Sequence, residues 1–128
     1  MNEVVIGVGS NIDSEMHIEK ARLLLNDAFG ILKETALLTT KPVGFTEQPD
    51  FKNGAFFVRT DLEVTLFKTV LMDIEVKVGR TPRSQKFGPR EIDLDILVWN
   101  KKVVDKDVFT RDFLRTSILE VYPDFVFE

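Results

Sequence analysis

The sequence predicts an α+β fold of the ferredoxin-like β-α-β-β-α-β type, an antiparallel sheet with both helices packed on one face. Two observations carry this. Two amphipathic helical stripes each run into a glycine and are each bracketed by apolar extended segments. The last of those segments, Ile92 to Trp99, alternates with period 2, as a strand does. At 128 residues the chain is long enough for one well-packed core and not comfortably for two, so a single domain is expected over 1–128.

In order, Val4 to Val8 reads as a short apolar strand running into the turn Gly9-Ser10-Asn11. A helix begins near Ser14, with Ile18, Ala21, Leu25, Ala28 and Phe29 on one stripe and Gly30 as its stop. Leu32 to Thr40 reads as the second strand. A loop holding Pro42, Gly44 and Pro49 follows over Lys41 to Asp50. The third strand is expected from about Asn53 to Leu62. Phe67, Val70, Leu71, Ile74 and Val78 mark a second helix that ends at Gly79. After the strand at Ile92 to Trp99, Asn100-Lys101-Lys102 resembles a hairpin turn, and Phe113 to Val121 a short terminal helix. The two irregular loops, Lys41 to Asp50 and Arg80 to Glu91, are where such a fold would hold a ligand.

Composition excludes several classes. With 44% hydrophobic and 30% charged residues, the chain is that of a globular protein. A net charge of -4 argues against a surface built to track nucleic acid. Cysteine is absent, which rules out disulfides and thiolate chemistry and fits a reducing compartment. Met1-Asn2-Glu3 has no basic leader character, and no stretch approaches the ~20 apolar residues of a membrane span, so a cytoplasmic location is expected.

The chemistry concentrates in Gly88-Pro89-Arg90-Glu91-Ile92-Asp93-Leu94-Asp95. Ile92, Leu94, Ile96 and Val98 alternate with Asp93, Asp95, Leu97 and Trp99, so Asp93 and Asp95 project side by side from one strand face. Two adjacent carboxylates repel and are costly to bury without a cation. Upstream, Arg80, Arg83, Lys86 and Arg90 occur with no acid among them up to Arg90. Acids on Mg²⁺ and arginines on phosphate oxygens would satisfy both sets. An ordinary strand with two solvated acids and a solvated basic turn satisfies the same pattern.

Other features carry less. Gly7-Val8-Gly9 hints at a dinucleotide fingerprint, but Ile12 stands at the third glycine position and the element order is not a parallel unit. His17, the only histidine, is expected to face solvent in the first helix, because no partner acid or nucleophile is evident. Most of the eleven phenylalanines belong to the core; Phe51, beside Pro49 and Asn53, is the one expected to face a ligand.

Taken together, these blocks resemble the 6-hydroxymethyl-7,8-dihydropterin pyrophosphokinase family. The resemblance rests on Gly9-Ser10-Asn11, on Gln48-Pro49-Asp50-Phe51-Lys52-Asn53, and on Ile74-Glu75 through Gly79-Arg80. It continues through Phe87-Gly88-Pro89-Arg90 into Asp93-Leu94-Asp95, and ends in the helix and tail from Phe113 to Phe127. It covers almost the whole chain, and the Gly-Pro-Arg-x-x-Asp-Leu-Asp string is highly specific.

The resemblance implies transfer of the β,γ-pyrophosphoryl group of ATP to the hydroxymethyl oxygen of a dihydropterin, in folate biosynthesis. It implies that Asp93 and Asp95 hold two Mg²⁺ ions, with Arg80 and Arg90 beside them as catalytic groups. Phe51 and Phe113 would sandwich the pterin, Asn53 would read its edge, and Thr40, Val43 and Phe87 would add contacts. Glu75, Arg80, Lys86, Arg90 and Arg111 would serve the nucleotide. The implied partners are the small molecules ATP and dihydropterin, with no nucleic acid or membrane, in a monomer or weak homodimer.

One departure stands out. Members of the family usually carry a Pro-His segment that grips ATP before the final helix. Here only Lys101 to Asp112 separates Asn100 from Phe113, without histidine or proline. Pro82 also stands where a second arginine is expected, and the chain ends soon after the tail motif. Two functions stay open on this reading. One is a compact active enzyme. The other is a catalytically weak or inactive paralogue that binds pterin or nucleotide.

Overall fold

The computed structural model describes residues 1–44, 46–82 and 88–128. Its centre is β1 (Asn2–Ser10), whose Val4-Val5-Ile6 run is β-branched and buried on both faces, as a strand with neighbours on either side must be. The helix α1 (Ser14–Phe29) follows, then two short strands, β2 (Lys33–Glu34) and β3 (Leu38–Thr40). Next come β4 (Phe51–Thr60), α2 (Val64–Val78), β5 (Asp93–Trp99) and β6 (Lys102–Val103). A single 3-10 turn (Lys106–Phe109) leads into α3 (Asp112–Val121). Every pairing is antiparallel, in the order β2-β4-β1-β5-β6, with β3 also paired to β4. This is the expected α+β ferredoxin-like sheet.

The segment expected as one strand, Leu32 to Thr40, is two. Glu34 pairs with Phe56 and Leu38 with Asn53, so three residues of the edge face two of β4, a bulge. Thr35 makes the break: its Oγ1 accepts the Ala55 amide at 2.9 Å while its own N–H donates to Ala55 O at 3.0 Å. A Cβ on Gly54 would lie 2.8 Å from that hydroxyl, so the close approach requires glycine there.

A second irregularity changes the reading of β5. Val5 pairs with Val98 but Ile6 with Ile96, so Leu97 is an extra residue, and its carbonyl accepts from Val104 N at 3.0 Å. The alternation reverses there. Leu94 and Ile96 pack with α1 and α2, and Trp99 joins them, whereas Leu97 and Val98 both lie in the core on the opposite face. The expected grouping of Val98 with Ile92, Leu94 and Ile96 is therefore corrected by one bulge.

The sheet is covered on both sides. On one, Val4, Ile6, Val8 and Phe56 meet Ile18, Ala21 and Leu25 of α1 and Phe67, Leu71, Ile74 and Val78 of α2. On the other, Val5, Ala55, Phe57 and Leu97 meet Ile118 and Val121 of α3 and Phe125 of the tail. α3 shortens the exposed part of that second face to the end carrying Gly9, Asn53 and Asp93. His17 is buried, correcting the expectation of a solvent-facing side chain: its Nδ1 lies 2.5 Å from the Ile12 carbonyl, and its Nε2 is near Gly79 at the end of α2. Among the described residues, no helix is long and apolar enough to cross a membrane.

Candidate active site

The site grows from the register of three strands. Gly9 of β1 pairs with Asn53 of β4 on one side and with Asp93 of β5 on the other. Side chains in one row share a face, so Asn53 and Asp93 flank a bare backbone strip with their main chains roughly 10 Å apart. Two residues along each strand, Ala55, Gly7 and Asp95 form the next row. A Cβ on Gly9 would come within 2.9 Å of Asn53 Oδ1, so a side chain there would displace the amide. The glycines set aside as a failed dinucleotide motif are thus the floor of a cleft.

That cleft, about 150 Å³, is lined by Thr40, Val43, Phe51, Asn53, Arg90, Asp93, Asp95, Arg111 and Phe113, all singled out in the sequence. Asn53 Nδ2 donates to Thr40 Oγ1, which fixes the amide's orientation and leaves its oxygen for an incoming donor. Asn11 ties the two flanking loops together. Its Nδ2 donates to Gln48 Oε1 at 2.8 Å and Pro49 O at 3.0 Å, while its Oδ1 accepts from Arg90 N at 2.9 Å. Arg90 folds back so that Nη1 donates to Gly88 O at 2.9 Å.

Arg80 and Glu75 do not line the cleft. Arg80 Nη1 donates to Asp93 Oδ1 at 2.9 Å and to Glu75 Oε2 at 2.7 Å, reaching the first strand acid from the end of α2. Burial works against the Arg80 charge, but Glu75 and Asp93 outweigh it and hold its pKa above the ordinary value. Burial likewise pushes the Glu75 carboxyl up, against the opposing pull of the Leu94 N–H and Arg80. Asp95 opens onto the cleft but is enclosed by protein on its other sides. That enclosure, then Asp93, Asp105 and Glu75, raises its pKa from 3.8 to about 7, with Arg80 opposing. Lys86 and Phe87, expected at the nucleotide and the pterin, lie outside the described residues, as does Arg83.

The short segment before α3 supplies residues that the sequence reading passed over. Asp105 and Asp107 both line the cleft. Asp105 caps the 3-10 turn by accepting from Asp107 N at 2.9 Å. Asp107 Oδ2 lies 3.5 Å from Arg111 Nη2, so this arginine stands in the wall already paired. The signal was present as acids at 105 and 107 with a cation four residues after the second. Where the family resemblance implies an ATP-gripping loop, this chain presents two acids, β6 and a tight turn.

A split β-α-β sheet that leaves one end of a face open, with a bare strip between an amide and paired carboxylates, defines an α+β domain with a polar cleft at one end of its sheet. Comparison with known proteins agrees. The family profile described as 7,8-dihydro-6-hydroxymethylpterin-pyrophosphokinase matches residues 5–123, and the chain belongs to that family. It is 38% identical over 107 residues to the folate synthesis bifunctional protein of Arabidopsis thaliana, covering 82% of this chain and 22% of that protein. It is 35% identical over 111 residues to the 2-amino-4-hydroxy-6-hydroxymethyldihydropteridine pyrophosphokinase of Bacillus subtilis, covering 84% of this chain and 66% of that one. The Aquifex aeolicus pyrophosphokinase is 32% identical over 135 residues, covering 98% of this chain and 84% of that one. The chain therefore spans only part of the length of several relatives that it matches.

Proposed function

We propose that this chain is a Mg²⁺-dependent diphosphokinase of folate biosynthesis, transferring pyrophosphate from ATP to 6-hydroxymethyl-7,8-dihydropterin and releasing AMP. The observation that carries this is the Asn53–Gly9–Asp93 row, which places a hydrogen-bonding amide and a carboxylate pair on opposite sides of one bare strand. A flat heterocycle held over that strand by Asn53, Phe51 and Phe113 would direct its hydroxymethyl group toward Asp93 and Asp95.

The donor set fits Mg²⁺ brought in with a nucleotide. Among the described residues, no group of three or more acids or histidines is arranged to hold a metal. Asp93 and Asp95 would supply carboxylates, and phosphate oxygens and water the remaining positions, as Mg²⁺ prefers. The raised pKa of Asp95 marks a carboxylate in need of a cation. When bound, Mg²⁺ would neutralise phosphate charge and orient the β-phosphorus.

In the transfer, the hydroxymethyl oxygen forms a bond to the β-phosphorus and releases its proton to solvent. The bond from that phosphorus to the α,β-bridging oxygen breaks, and AMP leaves with the oxygen. The chain's part is to position and to balance charge: Arg90 at the phosphates, Arg80 behind Asp93, Arg111 at the N-terminus of α3, Thr40 and Val43 around the pterin. We place this activity in the cytoplasm, on small-molecule substrates, in a monomer or weak homodimer. The purified chain with ATP, Mg²⁺ and the dihydropterin should form AMP, and Asp95→Ala should stop it while leaving the fold. A chain that binds pterin yet forms no AMP at saturating ATP would be the non-enzymatic paralogue instead.

A further inference from the structure

We propose that Glu75 is a positioning residue that sets where Arg80 and the Asp93–Asp95 segment lie, and that it does not touch the nucleotide. This rests on the site reading above and gives Glu75 a different task from the direct nucleotide contact implied by family resemblance.

Glu75 belongs to the buried face of α2, among Phe67, Leu71, Ile74 and Val78, and is 7% exposed. A carboxylate in such a place is unfavourable unless every oxygen it buries is used. Its Oε2 accepts from Leu94 N at 2.8 Å and from Arg80 Nη1 at 2.7 Å. Leu94 is the residue between the two strand acids. β6 pairs with β5 only at Val98 and Trp99, so here a helix side chain does for the strand what a neighbouring ladder does elsewhere. The Glu75 carbonyl adds to this, accepting from Gly79 N at 3.1 Å and Arg80 N at 2.9 Å. Side chain and main chain of one residue thus fix the point where Arg80 leaves α2, the direction of its guanidinium, and the height of the strand it reaches.

The charge has a separate consequence from the hydrogen bond. Arg80 Nη1 is shared between Glu75 and Asp93. Without the Glu75 charge, Asp93 would hold Arg80 alone and become a poorer ligand for Mg²⁺–nucleotide. Glu75→Gln separates the two effects, because its amide oxygen still accepts from Leu94 N.

The test is calorimetry of Mg–ATP and of a pterin analogue, with thermal melts, on the wild type, Glu75→Gln, Arg80→Ala and the double variant. Glu75→Gln should melt within a few degrees of wild type and keep its pterin affinity, yet lose about tenfold in Mg–ATP affinity. In the Arg80→Ala background the same change should matter by less than about twofold, because its effect runs through Arg80. Wild-type Mg–ATP affinity in Glu75→Gln would overturn the proposal, and so would a melting temperature lowered by much more than a few degrees. A tenfold loss that persists in the Arg80→Ala background would mean direct contact with nucleotide. If wild type binds Mg–ATP but transfers nothing, the enzyme reading fails while these affinities still judge Glu75; if it binds no Mg–ATP, both fail.

Discussion

Replacing Asp95 by asparagine should make the metal-free protein more stable above neutral pH while removing its affinity for Mg²⁺–nucleotide. The carboxyl titrates near 3.8 in an unfolded chain and near 7 in the folded one, because enclosure and then Asp93 disfavour its charge. Below pH 3.8 both states hold the proton and the residue contributes no difference. Between 3.8 and about 7 the folded state keeps a proton that the unfolded state has lost, so wild-type stability falls as pH rises. Above about 7 the full cost is present. At about 1.4 kcal/mol per pKa unit this would come to about 4–5 kcal/mol unscreened. Water in the open cleft screens the charge, and about 1–2 kcal/mol is the expected size. Asparagine carries no such charge and should melt roughly 4–8 °C higher at pH 8. Melts in chelator from pH 4 to 9 measure this directly. The gain should shrink to nothing near pH 4, and a gain that is absent, reversed or independent of pH would refute the assigned cause.

Three further outcomes follow from distances in the structure. Gly9→Ala would push against Asn53 Oδ1 and should weaken pterin-analogue binding by about 1–3 kcal/mol in calorimetry; unchanged affinity would mean that Asn53 does not read the pterin. Phe67 is fully buried, stacked on Phe29 at 4.7 Å and edge-on to Trp99 at 5.4 Å, so Phe67→Ala should cost about 3–5 kcal/mol in denaturant unfolding. A cost under about 1 kcal/mol would show that this core repacks around the gap. Asp107→Asn should free Arg111 and lower the ATP Michaelis constant by roughly two- to threefold, with ATP preferred over GTP by less than about tenfold in either form. A strongly ATP-selective wild type would mean that another segment does the work of the missing loop.

The element order was readable because both helices have unambiguous apolar stripes and glycine stops. The carboxylate pair was readable because strand periodicity fixes which residues share a face. Two features that sequence alone did not reveal depend on single extra residues. Thr35 replaces a ladder bond with its hydroxyl, and nothing in Leu32 to Thr40 announces that exchange. The bulge at Leu97 sits inside an unbroken apolar run, so a period-2 reading passes through it without signal. His17 was read from its neighbours in sequence, but its burial depends on the end of α2, which is distant in sequence. Asp105 and Asp107 carry no distinguishing signal in sequence, because acids in a short polar segment have the same pattern whether they face a cleft or solvent.

The extra residue at Leu97 also divides β5 into two stretches that answer to different demands. Upstream, Asp93 and Asp95 face the cleft, so packing does not decide what occupies those positions. Downstream, Val98 seals the core beneath α3 and Trp99 turns back against Phe67, so those positions are decided by packing. Deleting one residue at the bulge would join the two phases into one regular strand. Val98 would stay paired with Val5 and Ile96 with Ile6, each on its present face, and the loss would be Leu97 itself, a buried side chain of the core beneath α3 and the carbonyl that accepts from Val104 N. Sequence change on either side of the bulge therefore answers to separate constraints. An apolar side chain at 97, rather than a fixed interval between Asp95 and Val98, is what a comparison of functional variants should find kept.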